Sequence, residues 1–585
     1  MALFIFLVIS AALPFCFVAA DEDFIINTSK CKLPNFPAFS EETNRTHVPQ
    51  NYTACTNVEL LTYTKVVNNT AYLHIKRDIE LLYRSPDEEL SCYYSYVTRN
   101  GSEEEPDIGV SISPALKFNT SMRLTGDIVK VECYNSYALV YENVHNPITI
   151  SKTVDEKLKR FPRVNEDALP ISVLLIVVDS VSRLNFARTM PKTRNFLLDN
   201  GFVEFPGYNK IDDNTFPNFN ALLTGLNLKQ SNSICVPTKV GKLDECPMIW
   251  YDFRRLGYVT AYGEDWAPVA TYNYLKKGFK NPPADYYFKP YIEATETLNI
   301  TEKEGLPYCA GPETEGERIL HLARDFSLTF KNQPSFGIFW MNTFSHNNVS
   351  TPIVMDEKMS DFFKRIRDDG ILNSSIVMFL SDHGMRFGDI RRTIQGWYEE
   401  RLPILHVSLP ERFKTRFPGK YDNLKKNSKK FTSTYDVYMT LQDVLSMSVK
   451  GYNVTPSMAC PTCSSLFSDI TEERSCEEAG VPEKWCTCVG RFNKDETIIN
   501  GRRANAAAGL ALSEITRNAQ EYEFVYVSRI LSASISSGSD SHGYYLVVFE
   551  TSTWSVYQAL FKIRREPFGF LKLIQILWIG YSYEQ

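Results

Sequence analysis

The sequence has no long run of lysine and arginine, and its 63 basic residues are outnumbered by 69 acidic ones, for a net charge of -6. Binding to a phosphate backbone needs a concentrated basic surface, so this absence argues against nucleic acid as a partner. Compositional bias is also absent, because 44% of the residues are hydrophobic and 23% are charged. These values exclude a disordered, collagen-like or coiled-coil chain. At about 150 residues per domain, the length predicts roughly three or four domains.

Long apolar runs are scarce as well. Residues 3–20 form one that ends in small residues and is followed by three acidic residues, which predicts a cleaved signal peptide over residues 1–20. No Lys or Arg precedes the run, so an uncleaved anchor is the alternative. The next run, residues 568–581, is interrupted by Lys572 and Gln575 and is short for a span, which favours a terminal core segment or an aberrant tail. We therefore predict a secreted or secretory-lumen protein with no stable membrane span after cleavage.

Cysteine usage also predicts export. Of the 13 cysteines, Cys16 lies in the predicted signal peptide, which leaves 12, an even number suited to pairing in an oxidising compartment. We therefore predict disulfides. The C-x2-C and C-x-C spacings of one cluster leave zinc binding as an alternative there, and its members are Cys460, Cys463, Cys476, Cys486 and Cys488.

The pattern of the sequence changes three times along the chain. Residues 21–150 contain short runs rich in Val, Ile, Tyr and Thr and six of the ten N-x-[ST] sequons, which predicts a β-rich glycosylated domain. Residues 151–170 are charged and contain two prolines, which predicts a linker. Residues 171–450 alternate between strand and helix patterns, and residues 451–585 combine the cysteine cluster with further strand-like runs such as 522–527 and 544–550.

The alternating region predicts an α/β fold with a doubly wound, mainly parallel sheet. Its first run, ISVLLIVV at residues 171–178, is continuously apolar, as a strand buried on both faces requires. Further strands are predicted at residues 258–262, 336–341, 375–380 and 403–408, and helices at residues 190–200, 219–226, 315–331 and 355–369.

Several chemically capable residues follow the predicted strands. Functional side chains of such sheets gather at the carboxyl ends of the strands, and Asp179, His346, Asp382 and His383 occupy those positions. A single strand-end Asp is more often a cap or turn residue, but two carboxylates and an imidazole at one edge can hold a divalent cation. Thr215 is expected to start a helix, where unpaired N–H groups attract an anion.

Three motifs in this order resemble those of the alkaline-phosphatase-like superfamily: DS at residues 179–180, TFPNFNALLTG at 215–225 and SDHGM at 381–385. The second and third are most similar to motifs of nucleotide pyrophosphatase/phosphodiesterases. With VVDSVSRLNF and DIRRTIQGWYEERLPILHVSLP, the region resembles more specifically a sulfatase-like family of secreted animal proteins within that superfamily.

The resemblance implies a role for each matching residue. Asp179, Asp382 and His383 match metal ligands, and Thr215 matches the nucleophile that also touches the metal. A bound Zn²⁺ or Mn²⁺ would lower the pKa of the hydroxyl, which would attack a phosphate ester and form a phospho-threonine intermediate. The amide of Asn218, one turn beyond Thr215, would point at the transferred oxyanion.

The sequence departs from the two-metal pattern, in which a D-x3-H spacing supplies ligands to a second ion. Asn342 and His346 fill that spacing here, and Asn is a poor replacement for an anionic ligand. His406, inside a predicted strand, is more often a core residue than a ligand. We therefore favour one ion over two. Ser345-His346 resembles a pair found in one-metal lipoteichoic acid synthases and phosphoethanolamine transferases, which implies that His346 binds phosphate or protonates the leaving group.

The sequence thus predicts a secreted metal-dependent phosphoesterase or phosphotransferase acting on a phosphate ester of unknown identity. The alternative is a non-catalytic protein that keeps the fold, and a sulfatase is third, because Thr215 cannot become formylglycine. The sulfatase-like run at residues 235–239 is interpreted as coincidence, with Cys235 pairing to Cys246.

Two further groups lie close to the motifs. The loop at residues 263–266 either faces substrate or is an ordinary capped turn. Four arginines either hold a second anionic group or form a solvated charged face, and they are Arg183, Arg386, Arg391 and Arg392.

Overall fold

The structure is a computed structural model that describes residues 23–136, 138–161, 171–494, 501–517, 525–536, 538, 542–564 and 570–582. The predicted signal peptide lies outside the described residues, as do residues 522–524 of one predicted strand-like run and residues 162–170 of the predicted linker. Among the helices of the described part, none combines the length and the apolar character needed to cross a membrane.

A seven-stranded sheet forms the centre of the molecule, in the order Val203–Glu204, Leu405–Ser408, Ser375–Leu380, Ser172–Val178, Ser335–Met341, Val259–Glu264 and Tyr286–Tyr287. The last five strands pair in parallel, and the first two are antiparallel to their neighbours. The predicted α/β fold with a mainly parallel sheet is therefore confirmed.

Helices cover both faces of this sheet. Alternate residues of the central strand explain why, because Leu174 and Ile176 join one apolar cluster while Val173 and Leu175 join another. The helices on the first face are Arg183–Thr189, Pro191–Asp199, Lys289–Thr295, Glu315–Thr329 and Asp356–Asp368. Those on the second are Thr215–Thr224, Leu228–Ile234, Ile249–Arg255, Glu411–Arg416, Pro418–Asn427 and Thr434–Ser448.

The boundaries differ from the predicted ones in two informative places. The helix expected over residues 219–226 occupies Thr215–Thr224, because Pro217 fits a first helical turn and Gly225, at φ 67°, ends the helix in the left-handed conformation. The strand expected over residues 403–408 begins at Leu405 and runs antiparallel. The segment interpreted as a linker contains the helix Lys152–Lys159.

The N-terminal part is rich in strands. After the pair Phe24–Asn27 and Lys32–Pro34 and the helix Glu41–Thr46, two antiparallel sheets share a buried core. The larger sheet contains Leu90–Arg99, Val110–Ile112, Leu116–Phe118, Ile128–Asn135 and Ala138–His145, and the smaller contains Thr62–Val67, Thr70–Ile75 and Ser121–Arg123. Nine of the ten sequon asparagines are exposed and Asn348 is half-buried, so their positions are accessible to glycosylation.

The C-terminal part adds a second antiparallel sheet of five strands, Phe492–Lys494, Val527–Ser536, His542–Thr551, Ser555–Arg564 and Leu571–Tyr581. The helix Arg502–Arg517 packs on it through alanines such as Ala504 and Ala508. The described part of the apolar run near the C-terminus is therefore the strand Leu571–Tyr581, in which Gln575 and Ile579 are buried and the other side chains are half-buried or exposed. Two smaller sheets are also present. One pairs Tyr208–Asn209 with Thr432–Ser433, and the other contains Ile300–Lys303, Leu306–Ala310 and Glu313–Thr314. A further α-helix spans Ile394–Arg401.

All 12 cysteines outside the predicted signal peptide form disulfides, which confirms the prediction of disulfides. The pairs are Cys31–Cys488, Cys55–Cys309, Cys92–Cys133, Cys235–Cys246, Cys460–Cys463 and Cys476–Cys486. The predicted pairing of Cys235 with Cys246 is correct, and the zinc alternative for the C-terminal cluster is wrong because every one of its thiols is in a disulfide.

Candidate active site

Two carboxylates and an imidazole meet where two adjacent strands end. Asp179 follows the strand Ser172–Val178, and Asp382 and His383 follow the parallel neighbour Ser375–Leu380. Ligand atoms of the three side chains lie within 4.8 Å of one another, and all three residues are buried. The two strands end at the same edge because they run in parallel and in register.

Thr215 lies beside this group at the first residue of the helix Thr215–Thr224. Its hydroxyl donates a hydrogen bond of 3.2 Å to Oδ2 of Asp179. Thr215 is half-buried, whereas Asp179 and Asp382 are buried. A nucleophile at a helix N-terminus faces backbone N–H groups that attract an anion.

Two atoms of the group have lone pairs that nothing in the described residues satisfies. Oδ2 of Asp382 and Nε2 of His383 are 3.1 Å apart, both buried and without a hydrogen-bond partner. Nδ1 of His383 is 2.9 Å from the carbonyl of Gly384, which it satisfies as a donor, so Nε2 carries a lone pair. A carboxylate oxygen and an imidazole nitrogen that face each other at this distance can share a proton or bind one divalent cation together, so this arrangement fits a metal ion.

Burial dominates the electrostatics of the group. It raises the pKa of Asp382 to about 7, with the nearby charge of Asp179 acting in the same direction. Burial also lowers the pKa of His383 well below its usual value. His383 is therefore neutral, the form in which an imidazole binds a metal ion.

Ser180 joins the two strand ends, a role that the sequence interpretation missed. Its hydroxyl donates to Asp179 Oδ1, and its backbone N–H donates to Asp382 Oδ1 over 3.3 Å. The residue adopts a left-handed φ of 61°, a conformation uncommon outside glycine that often marks a functional site. Its position next to Asp179 in the DS motif was the available signal.

Asn218 is fully buried one turn after Thr215 and braces the loop before the helix. Its amide NH₂ donates to the carbonyls of Asp212 and Asn214 over 2.8 and 2.9 Å. Its Oδ1 accepts from the N–H groups of Ile211 and Asp212 over 2.8 and 3.2 Å. The predicted contact with an oxyanion stays a prediction, since both amide hydrogens are already engaged in holding this loop.

Asn342 is buried and bonded on every side. Its Nδ2 lies 3.1 Å from Asp265 Oδ1 and 3.3 Å from Glu264 Oε1, and its Oδ1 accepts from Trp340 Nε1 over 2.9 Å. Burial raises the pKa of Glu264 to about 7 and that of Asp265 to about 6. Glu264, at the end of the strand Val259–Glu264, and Asp265 thus hold Asn342 in place, and Trp266 of the same segment lies beside the ring of His346.

His346 is half-buried between two aromatic rings. Its ring centroid is 6.3 Å from that of Trp266 and 6.1 Å from that of Phe387, the fourth residue after His383. Its Nδ1 is 2.8 Å from Asn347 Oδ1, and Nε2 makes no hydrogen bond with the residues that the structure describes. The neighbouring Ser345 hydroxyl is buried without a partner in the described part of the chain. His406, by contrast, is a buried core residue of the sheet, as expected.

The four arginines separate into different environments. Arg391 is buried and bonds Gln558 and the carbonyl of Gly396, and Arg392 bonds Asp389 and the carbonyl of Tyr581. The charge of Arg183 lies near Glu204 and Glu399. Arg386 has no hydrogen bond or ion pair with any residue that the structure describes, and its Nε is buried.

Fold and site together define an α/β protein with a buried Asp, Asp and His group beside a threonine at a helix N-terminus. The chain belongs to the family described as protein of unknown function DUF229, whose model matches residues 48–533. This match confirms the family assignment made from the motifs. A search of curated protein sequences gives no significant match.

Solved structures offer distant similarities. The chain is 14% identical to the lipoteichoic acid synthase LtaP from Listeria monocytogenes, over 55% of this chain and 81% of that one, with a TM-score of 0.35. It is 12% identical to the phosphonate monoester hydrolase SpPMH from Silicibacter pomeroyi, over 68% of this chain and 90% of that one, with a TM-score of 0.36. It is also 12% identical to the C-terminal periplasmic domain of phosphoethanolamine transferase EptC from Campylobacter jejuni. That similarity covers 50% of this chain and 95% of that one, with a TM-score of 0.32. These TM-scores are low, so the fold class is assigned from the sheet itself.

Proposed function

We propose that the chain is a secreted metal-dependent phosphoesterase or phosphotransferase that uses Thr215 as its nucleophile. The observation that supports this most directly is the pair of unsatisfied lone pairs on Asp382 and His383 beside the Thr215–Asp179 hydrogen bond. Asp179, Thr215, Asp382 and His383 are all retained and meet in one place, whereas a decayed site would be expected to lose at least one of them.

Asp179, Asp382 and His383 would hold one divalent cation, with Thr215 completing the set. Two carboxylates, an imidazole and a hydroxyl suit Zn²⁺ or Mn²⁺. The bound ion would lower the pKa of the Thr215 hydroxyl, so that its proton leaves to water near neutral pH. One ion is proposed and not two, since Asn342 is a neutral side chain already bonded to Glu264, Asp265 and Trp340.

The protein groups then have distinct tasks. Thr215 Oγ1 attacks phosphorus, and the helix N-terminus favours the negative charge of the phosphoryl group. The leaving alcohol would take a proton from Nε2 of His346 in its imidazolium form, since the Nδ1–H is engaged with Asn347 Oδ1 and the neutral ring would carry only a lone pair on Nε2. Water or a second alcohol afterwards releases the phosphoryl group from Thr215, giving hydrolysis or transfer. The substrate is a phosphate ester.

Secretion is part of the proposal. The six disulfides and the exposed sequon asparagines are the observations that favour an oxidising compartment. The predicted domain boundaries at residues 150, 170 and 450 and the cleaved signal over residues 1–20 belong to the same proposal.

A non-catalytic binding protein is the second candidate, favoured by the replacement of an anionic ligand with Asn342. A sulfatase of this superfamily is disfavoured by Thr215. The candidates differ in one measurable property, which is turnover that depends on Thr215.

The test is metal analysis and ester hydrolysis by the chain purified from a secretory host. We expect about one equivalent of metal, its loss in Asp382→Asn, and hydrolysis of a phosphate monoester or diester that disappears in Thr215→Ala. Thr415→Ala, an exposed threonine on the helix Glu411–Arg416, is the matched control. Metal-free protein without Thr215-dependent turnover of any phosphate ester would favour the non-catalytic candidate.

A further inference from the structure

Two disulfides of the cysteine-rich region lie next to each other. The sulfur atoms of Cys476, Cys486 and Cys488 are all within 4.8 Å of one another, although Cys476 is bonded to Cys486 and Cys488 is bonded to Cys31. Among the described residues, no other three cysteines meet this closely. A sulfur at this distance needs only a small movement to attack the neighbouring disulfide, so the two bonds can exchange partners.

One member of this group is open to solvent. Cys488 is half-buried, whereas Cys31 is 1% exposed and Cys476 is 7% exposed. Both Cys476 and Cys488 line a surface cavity of about 700 Å³, whose wall also contains Lys30 and Tyr544. Thiol–disulfide exchange requires access of a thiolate to a disulfide sulfur, so a small external thiol would enter this cavity and attack Cys488.

The segment that contains Cys486 supports the loop that leads to the proposed nucleophile. On one side of Cys486, Trp485 Nε1 donates to Asp212 Oδ1 over 3.2 Å. On the other side, Thr487 Oγ1 donates to Asn209 Oδ1 over 2.6 Å. Because both contacts flank Cys486, its disulfide helps to fix this loop, and its release would loosen it.

We propose that these two disulfides form a thiol-sensitive switch, in which Cys488 exchanges Cys31 for Cys476 and thereby lowers turnover at the Thr215 site. Two molecules of a small thiol such as glutathione first reduce the Cys31–Cys488 bond and leave as their own disulfide. The Cys488 thiol then loses its proton and attacks Sγ of Cys476, and Cys486 leaves as a thiolate that takes up a proton. Cys476 is the sulfur attacked, because a bond between Cys486 and Cys488 would close a small ring around one residue. The effect on turnover rests on the proposed function, whereas the exchange itself does not.

The experiment incubates the full chain with a graded series of reduced glutathione, blocks free thiols by alkylation and maps the bonds by mass spectrometry. Trypsin separates Cys476 from the peptide that contains Cys486 and Cys488, because a lysine lies between them. Fragmentation of that peptide shows which of its two cysteines carries the alkyl label. We expect a label on Cys486 and a new bond from Cys476 to Cys488, at glutathione concentrations that leave the buried Cys92–Cys133 pair intact.

Cys31→Ser tests the exchange without a reductant, because it leaves Cys488 without its partner from the start. The label should again appear on Cys486. Cys55→Ser is the matched control, since it frees Cys309, and there the label should stay on Cys309. A label that stays on Cys488 in Cys31→Ser, or loss of both wild-type bonds in glutathione with no new bond, would overturn the inference.

Turnover of a phosphate ester is measured on the same samples. It should fall by about 10-fold or more as the Cys486 label appears, and it should return when oxidised glutathione restores the original bonds. A double variant, Cys31→Ser with Cys488→Ser, lacks the attacking thiol and should keep its turnover in glutathione, which controls for removal of the metal by the thiol. Exchange at constant turnover would overturn the switch. If the untreated protein turns over no phosphate ester but the exchange occurs, the proposed function fails and the exchange stands.

Discussion

At the scale of single residues, the candidate site differs from its surroundings in which buried polar atoms lack a hydrogen-bond partner. Oδ2 of Asp382 and Nε2 of His383 are buried and unsatisfied in the part of the chain that the structure describes, whereas Asn218 and Asn342 use every polar atom on protein groups. The first pair is therefore free for a ligand, and the two asparagines hold the backbone that surrounds it.

His346→Ala should lower kcat by roughly 10²- to 10⁴-fold while about one equivalent of metal stays bound, because the ring would act on the leaving group and not on the ion. The loss should be larger for an alkyl phosphate than for para-nitrophenyl phosphate, whose leaving group needs no proton. Steady-state kinetics and metal analysis measure both.

His74→Ala, in the N-terminal strand Thr70–Ile75, is the control and should change neither quantity. A loss equal for both esters would make His346 a phosphate-binding residue. Two ions in the wild type, with one released by His346→Ala, would return the protein to the two-metal pattern.

At the scale of elements, the loop before the helix Thr215–Thr224 is tied to the C-terminal half through a buried ion group. Glu400, on the helix Ile394–Arg401, contacts Lys210 and Arg401 and faces Arg391. Lys210 also donates to the carbonyl of Asp213 over 2.9 Å, two residues before Thr215. The loop before Thr215 and the helix after the SDHGM motif are therefore held together by charge.

Glu400→Gln should lower the free energy of unfolding by about 3–5 kcal/mol, because it leaves buried cations without their anion. Burial alone would raise the pKa of Glu400, but Lys210, Arg401 and Arg391 hold it down to about 2. A depressed carboxylate pKa stabilises the fold above its ordinary value of 4.5 and loses that effect as the pH falls toward about 2.

Urea unfolding at neutral and acidic pH measures this prediction, and the difference between wild type and Glu400→Gln should shrink as the pH falls. Glu411→Gln, which removes an exposed partner of Lys414, should cost no more than about 1 kcal/mol. A cost for Glu400→Gln that does not change with pH would mean that the packing of this helix, and not charge, is responsible.

At the scale of the whole molecule, disulfides close the chain on itself. Cys31 and Cys488 are 457 residues apart, so this bond ties the first strand pair to the cysteine-rich C-terminal region. Cys460 and Cys463 are only 3 residues apart. Because the entropy that a disulfide removes from the unfolded chain grows with loop length, the first bond should stabilise the fold more than the second.

Replacing Cys31 and Cys488 together by Ala should lower Tm more than replacing Cys460 and Cys463 together, with a cost of about 2–5 kcal/mol for the long loop. Cys31, Cys460 and Cys463 are buried and Cys488 is half-buried, so both double replacements remove side-chain contacts. Thermal unfolding of the oxidised proteins measures the order, and a reversed order would mean that local packing outweighs loop entropy.

Sequence patterns determined the elements of this fold whose signals are local. The apolar run ending at Val178 and the alternation after it predicted the central sheet, and three motifs predicted that Asp179, Thr215, Asp382 and His383 belong to one edge. These signals depend on side-chain periodicity and on the chain order of strands, both of which are written in short stretches of sequence.

Tertiary structure alone decided which side chains have partners. Neighbouring residues in the sequence give no sign that Arg391 and Arg392 bond the C-terminal sheet while Arg386 bonds nothing described, or that Glu400 meets Lys210 across 190 residues. The same holds for the pairing of Cys31 with Cys488. The physical reason is that burial and hydrogen-bond partners of a side chain depend on distant segments packed against it, and no local period encodes them.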